Sequence, residues 1–155
     1  MQLHFAYTFP APVDKVFAVL TSAELYAHLD DEAMVEIKQH DHIRTVRIER
    51  AFPTDDIPSS ARSLVGDSIE IVEETRWEAT GKGFSAEFDV RTPGKPLTFI
   101  GTAELTSKKS TTEFELSGTV KVNVPLVGAG LEKQVAALLQ QQLEATVEQA
   151  QELLD

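Results

Sequence analysis

One carboxylate sits in an unusual place. Ile69, Ile71, Glu73, Thr75 and Trp77 alternate with Glu70, Val72, Glu74 and Arg76. Such period-two spacing puts alternate residues on one face of a strand, so Glu73 falls on the apolar face beside Thr75 and Trp77. A carboxylate there needs a countercharge or a proton, and either condition suits a general base or an anchor for the polar end of a ligand. Arg47, in a strand with Val46 and Ile48, supplies the countercharge if its own face also points inward. Two plainer outcomes stand beside this one. A bend or bulge would leave Glu73 in water next to Glu74, or the pair would be a structural ion pair and nothing more.

The other reactive side chains form no constellation. His40 and His42 flank a turn and have no third donor at metal-ligand spacing, and His4 and His28 are remote in sequence, so no metal site is expected. There is no cysteine, which removes disulfides, thiolate ligands and cysteine nucleophiles. No Gly-x-Ser-x-Gly elbow occurs. Val127-Gly128-Ala129-Gly130 has the start of a dinucleotide loop, but Lys133 stands where its third glycine belongs. It reads as a flexible joint between a strand and a helix. Asp30, Asp31 and Glu32 read as a solvated turn. No cofactor is implied, and no catalytic residue is assigned.

The elements that would position Glu73 can be read from periodicity. Leu3, Phe5, Tyr7 and Phe9 make a first strand closed by Pro10. Val13, Val16, Phe17 and Leu20 follow at helical spacing after Pro12, and a second short helix runs from the N-cap Ser22 to about Leu29. Six strands follow, at about 33–39, 43–52, 67–79, 83–91, 96–107 and 111–124. His40-Asp41, Thr80 to Gly83, Pro93-Gly94 and Ser107 to Ser110 carry their turns, the third as type II. The stretch 53–66 breaks the alternation and reads as a long loop with a helical turn at Ala61 to Val65. From Gly130 to Leu154 one apolar stripe runs through Leu131, Val135, Leu139, Leu143, Val147 and Leu154. That helix must lie across the sheet to hide the stripe. The fold class is α+β, with a curved, seven-stranded antiparallel sheet, two short N-terminal helices and a long C-terminal helix across it. Residues 1–155 are expected to form a single domain.

Composition narrows the partners. Against 14 basic residues stand 25 acidic ones, a formal charge of −11, with the basic side chains scattered. A surface of that sign repels phosphate backbones, so no nucleic-acid partner is expected. The longest apolar run, Val124 to Leu131, is too short to span a bilayer, and no stable membrane insertion is expected. The N-terminal Met-Gln-Leu-His-Phe lacks the form of a secretory signal, which makes a cytoplasmic location the expectation. The oligomeric state is left open.

Three segments carry a family likeness: Tyr7-Thr8-Phe9-Pro10-Ala11-Pro12 before Val16-Phe17, Gly66-Asp67 before Thr75-Arg76-Trp77, and Val124-Pro125-Leu126-Val127-Gly128. With the element order, the chain resembles the START-like helix-grip superfamily, also called SRPBCC, and within it a bacterial family of unknown function. The resemblance covers essentially the whole chain. It implies a cavity between sheet and terminal helix that takes lipids, sterols, polyketides or other apolar molecules. Some members of the superfamily cyclise or hydrolyse their ligands and others only bind them. The expected function is binding of an apolar small molecule, such as a lipid, a polyketide-like compound or an aromatic metabolite. Tyr7, Arg47, Glu73 and Thr75 would orient its polar end, and Trp77, Phe88, Phe99 and Phe114 would form the wall. Entry would be gated by the 53–66 loop and the Gly128–Gly130 joint. The alternatives are a cyclase or dehydratase using Glu73 as general base, and a protein-interaction module with a filled core.

Overall fold

Strand β1 (Gln2–Phe9) leads into helices α1 (Val13–Leu20) and α2 (Ala23–Leu29). Six strands follow: β2 (Met34–His40), β3 (Ile43–Pro53), β4 (Ser68–Thr80), β5 (Gly83–Arg91), β6 (Leu97–Lys108) and β7 (Thr111–Val122). Helix α3 (Gly128–Leu154) ends the chain. These elements come from a computed structural model that describes residues 1–55, 59, 62, 63 and 66–155. The reading of 53–66 as a helical turn and an entry gate falls largely outside the described residues. Its described ends are clipped together: the Arg62 Nε donates to the Thr54 carbonyl at 3.0 Å, and the Thr54 amide donates to the Asp67 carbonyl at 3.2 Å.

The sheet has the order β1-β7-β6-β5-β4-β3-β2, and every neighbouring pair is antiparallel. From β2 onward each strand folds back on the one before it, while β1 closes against the last. α1 and α2 therefore carry the chain from one edge of the sheet to the other. Tight connections set the register. Asp41 and Lys109, both at φ 54°, sit in the left-handed region at the two-residue turns of the β2–β3 and β6–β7 hairpins. Between β5 and β6, Gly94 at φ 75° follows Pro93, and the Lys95 amide donates to the Thr92 carbonyl at 2.9 Å, the type II turn expected from the sequence.

Alternation sorts side chains between the two faces. The inner positions of β7, Thr112, Phe114, Leu116, Gly118, Val120 and Val122, are all buried, while Glu113, Glu115, Ser117, Thr119 and Lys121 are exposed. Gly118 faces Gly101 across β6, and the Phe88 and Phe99 rings fill the space that a Gly118 side chain would take. The helices close the inner face with Val16 and Leu20 from α1, Leu25 from α2, and Ala136, Val147 and Ala150 from α3. Each fully buried Leu or Val adds about 1.5–3 kcal/mol of transfer free energy.

α3 is about 40 Å long at the standard rise and is tied down at both ends. The Glu132 carboxylate accepts from the Val122 amide and from the Met1 ammonium group, each at 3.1 Å. Near the other end, the Tyr7 hydroxyl donates to Gln151 Oε1 at 3.2 Å. The helix starts two residues before Gly130, the start expected from the sequence, because Gly128 already joins it: its amide donates to the Val124 carbonyl at 2.9 Å. A side chain at Gly128 would collide with the Val122 carbonyl, so the glycine is required for close approach. The helix-grip architecture implied by the resemblance is present.

Candidate functional site

Glu73 does lie on the inner face. Its register partners are Ile48 on β3 and Val90 on β5, and Thr75 and Trp77 follow on the same side. Its cationic partner is Arg50. Arg50 Nη2 lies 3.2 Å from Glu73 Oε1, with side-chain exposures of 11% and 22%. The guanidinium carbon of Arg50 stands 4.6 Å from the centre of the Phe52 ring, so an aromatic face covers part of the cation. Arg50 Nε is buried and has no hydrogen-bond partner among the described residues.

Arg47 does not supply the countercharge. Val46 and Ile48 take the inner positions of β3, which turns Arg47 outward, where it pairs with Glu49 at 2.9 Å and Glu74 at 3.5 Å. There it joins an exposed network in which Arg76 bridges Glu74 and Asp89. The same parity sends Arg44 and Arg50 inward. Arg44 caps the Phe17 ring at 4.8 Å and donates to Thr21 Oγ1 at 3.0 Å.

α2 adds a group that sequence reasoning missed. Ser22 caps this helix by accepting from the Leu25 amide, and Leu25 is fully buried, which fixes the rotation that brings Tyr26 toward the sheet. The Tyr26 hydroxyl donates to the Leu20 carbonyl at 2.8 Å. Tyr26 is only partly buried as a residue, but its hydroxyl end is enclosed. Burial drives its phenol well above the usual range, the Glu73 charge pushes the same way, and Arg50 opposes. Tyr26 thus adds a buried hydroxyl on the side of the sheet where Arg50 and Glu73 pair. The signal for Arg50 was present in the sequence, since it shares parity with Val46 and Ile48; Tyr26 had none beyond its place next to Leu25.

The other expected site residues divide among three places. Thr75 neighbours Glu73 on β4, half-buried, opposite Val46 and Phe88. Trp77 is buried, edge-on to Phe17 at 5.9 Å, and Phe17 stacks on Phe84 at 3.8 Å. Phe88 and Phe99 meet at 4.9 Å in the middle of the sheet. Phe114 lies farther along with Phe5 and Phe9, and Tyr7 packs edge-on to Phe9 at 4.8 Å. The Tyr7 hydroxyl is already committed to Gln151.

Burial is uneven across the inner face. Every inner position of β7 is buried, but on β4 Ile71, Glu73 and Thr75 are only half-buried. On α3, Leu131, Leu138, Leu139 and Leu143 are also only half-buried. The inner face is therefore closed off along β7 and more exposed at Ile71, Glu73 and Thr75 of β4. A separate surface recess of about 660 Å³ lies at the β4–β5 turn, between Val13, Lys82, Phe84 and Lys108. Neither Glu73 nor Arg50 lines it. Among the described residues, no three His, Asp or Glu side chains converge as metal ligands, and no helix is long and apolar enough to cross a membrane.

Solved structures share this architecture. TTHA0849 from Thermus thermophilus superposes with a TM-score of 0.67 at 18% identity, over 99% of this chain and 97% of that one. The Zhui aromatase/cyclase of a Streptomyces species gives 0.63 at 14% identity, over 99% and 93%. A START superfamily protein from Mycobacterium smegmatis gives 0.61 at 12% identity, over 98% of each chain. At such identities the likeness establishes the fold, and that fold is START-like. No curated protein matches the chain in sequence. The DUF2505 family, described as protein of unknown function, matches residues 4–154, and the chain, START-like in fold, belongs to that family.

Proposed function

We propose that this protein binds an apolar small molecule between its sheet and α3, with the polar end of that molecule at the Arg50–Glu73 pair. The observation that carries the reading is the pair itself: two opposite charges on the inner face of β3 and β4, next to inner side chains that are only half-buried. Ligand sites combine an apolar wall with a few convergent polar groups, and this is where the inner face offers both. Thr75 extends the polar side. Phe88, Phe99 and Trp77 supply wall, with Phe114 and Tyr7 at its far end. Residues 1–155 act as one binding unit in this reading.

The test is native mass spectrometry of the purified protein before and after denaturing organic extraction. A reproducible extra mass, released as a small apolar compound, is the expected result. A bare chain mass, together with Trp77 emission that stays unshifted across a panel of fatty acids and polycyclic aromatics, would count for a filled core and an interaction module.

A second reading has one observation in its favour. Glu73 is a carboxylate on a partly open apolar face, which is where a cyclase or dehydratase would keep its general base, and a structural neighbour is an aromatase/cyclase. Glu73→Gln that keeps ligand affinity and loses turnover would establish it. Turnover unchanged by Glu73→Gln would remove it.

A further inference from the structure

We infer that the free edge of β2 is a self-association surface, on which a second copy of this chain pairs antiparallel and continues the sheet. The inference goes beyond the binding reading and does not depend on it.

β2 ends the seven-stranded sheet and has no strand partner on its far side among the described residues. Six of its seven residues are exposed. Asp41 and His42 form a two-residue turn, so His40 and Ile43 are a hydrogen-bonded pair, and such pairs alternate back along the hairpin. The backbone N–H and C=O groups of Val35, Ile37 and Gln39 therefore point away from β3, toward the open edge. A row of unpaired donors and acceptors is a template for another strand.

Side chains decide which strand. A two-fold axis through Ile37 sets it opposite Ile37 of the second copy, Val35 opposite Gln39, and Glu36 opposite Lys38. All three open residues then exchange hydrogen bonds. Glu36 and Lys38 fall on non-hydrogen-bonded pairs, where side chains lie closer, and each glutamate meets a lysine. Moving the axis by one residue sets Glu36 against Glu36 or Lys38 against Lys38, which is unfavourable. Within one chain Lys38 Nζ lies 2.8 Å from Glu36 Oε1, and both side chains are exposed enough to turn across the axis. On its other side Glu36 is in register with Arg47, so in the dimer it stands between two cations. Ile37, an inner-face position in register with Val46, is 37% exposed and is covered by its own copy. The opposite edge, β1, presents Gln2, His4, Ala6 and Thr8 outward and has no such charge code. A formal charge of −11 keeps copies apart in general, and at the β2 edge the charges cancel pair by pair.

The test is sedimentation velocity at about 0.1 M salt over roughly 5 to 500 µM, because an interface one strand wide is small and its dimer weak. The natural protein should pass from monomer to dimer within that range. Glu36→Lys and Lys38→Glu should each weaken the dimer about tenfold or more, since each sets like charges across the axis. Glu36→Lys lowers the net negative charge, so its loss of association would not come from overall repulsion. An equimolar mixture of the two variants sets lysine against glutamate again and should dimerise within about threefold of the natural protein. Both positions are exposed, and circular dichroism of each variant checks that it is folded. A natural protein that is monomeric throughout would overturn the inference and leave the edge to a strand of another protein. A dimer that neither reversal weakens, or a mixture of folded variants that stays monomeric, would overturn it as well.

Discussion

Arg50 and Glu73 meet diagonally across β3 and β4: Arg50 is in register with Ile71 and Glu73 with Ile48, yet Nη2 and Oε1 are 3.2 Å apart. Diagonal neighbours on one face of an antiparallel pair are within reach only of long side chains, and arginine is long enough. The contact puts a charge pair where sheet alternation calls for two apolar residues. An inward ion pair gives up hydration that its mutual attraction regains only in part, so it is a poor means of raising stability. In the binding reading proposed above, its position on the more exposed part of the inner face gives it a role in recognition.

Breaking the pair from one side should therefore cost more than removing it. Arg50→Met leaves the Glu73 carboxylate facing apolar neighbours and uncovers Phe52, at a cost of about 1–3 kcal/mol in urea unfolding. Arg50→Met combined with Glu73→Leu should recover most of that loss. A double variant no more stable than the single one would mean that the charges support the sheet itself.

Tyr7→Phe separates a structural hydroxyl from a ligand-binding one. The Tyr7 hydroxyl ties β1 to the C-terminal part of α3 through Gln151. Its loss should lower stability by about 0.5–1.5 kcal/mol and leave the affinity for an apolar ligand unchanged. A several-fold drop in affinity with stability intact would return Tyr7 to the polar side of the site.

Much of this arrangement was legible in the residues. Strict alternation in Phe114–Val122 and turn chemistry at Pro93-Gly94 gave strands and hairpins close to those observed, because one face of the sheet is wet and each misplaced residue would bury a charge. The candidate site was legible in half. Glu73 stood out as a charge in an apolar row, and its inward position followed from parity alone. The same rule applied to β3 rejects Arg47 and selects Arg50, because Val46 and Ile48 hold the inner positions. Tyr26 was not legible, since the rotation of a short helix depends on what it packs against, and Leu25 settles that only in three dimensions.

The facing glycines of β6 and β7 should differ in tolerance. A methyl at Gly118 meets the Phe99 and Phe88 rings, which can shift, as well as the Ile100 carbonyl. A methyl at Gly101 collides with the Ser117 carbonyl and the Gly118 backbone, which cannot move without opening the ladder. Gly118→Ala should cost about 1–3 kcal/mol, and Gly101→Ala should cost more. Thermal unfolding of the two variants checks the order. The reverse order would mean that the Phe88–Phe99 contact is the stiffer constraint.

Glu132 makes stability depend on pH at the acid end. The Met1 carbonyl takes the Val120 amide, and two residues on, the Val122 amide is taken by Glu132. That backbone hydrogen bond, followed by the Met1 ammonium group, holds the Glu132 carboxyl below its ordinary value of 4.5. A carboxyl whose folded value lies below its unfolded one stabilises fully above the unfolded value, and that stabilisation fades as pH falls through the folded one. The stability gap between the natural protein and Glu132→Gln should therefore be constant from about pH 7 to pH 5 and close progressively below about pH 4. Urea midpoints across that range measure it. The side chain is exposed enough for salt to weaken its attraction to Met1, so added salt should narrow the gap while the Val122 hydrogen bond keeps it from vanishing. A gap that is flat down to about pH 3 would mean that the glutamine accepts from Val122 equally well and that the charge of Glu132 contributes nothing to anchoring α3.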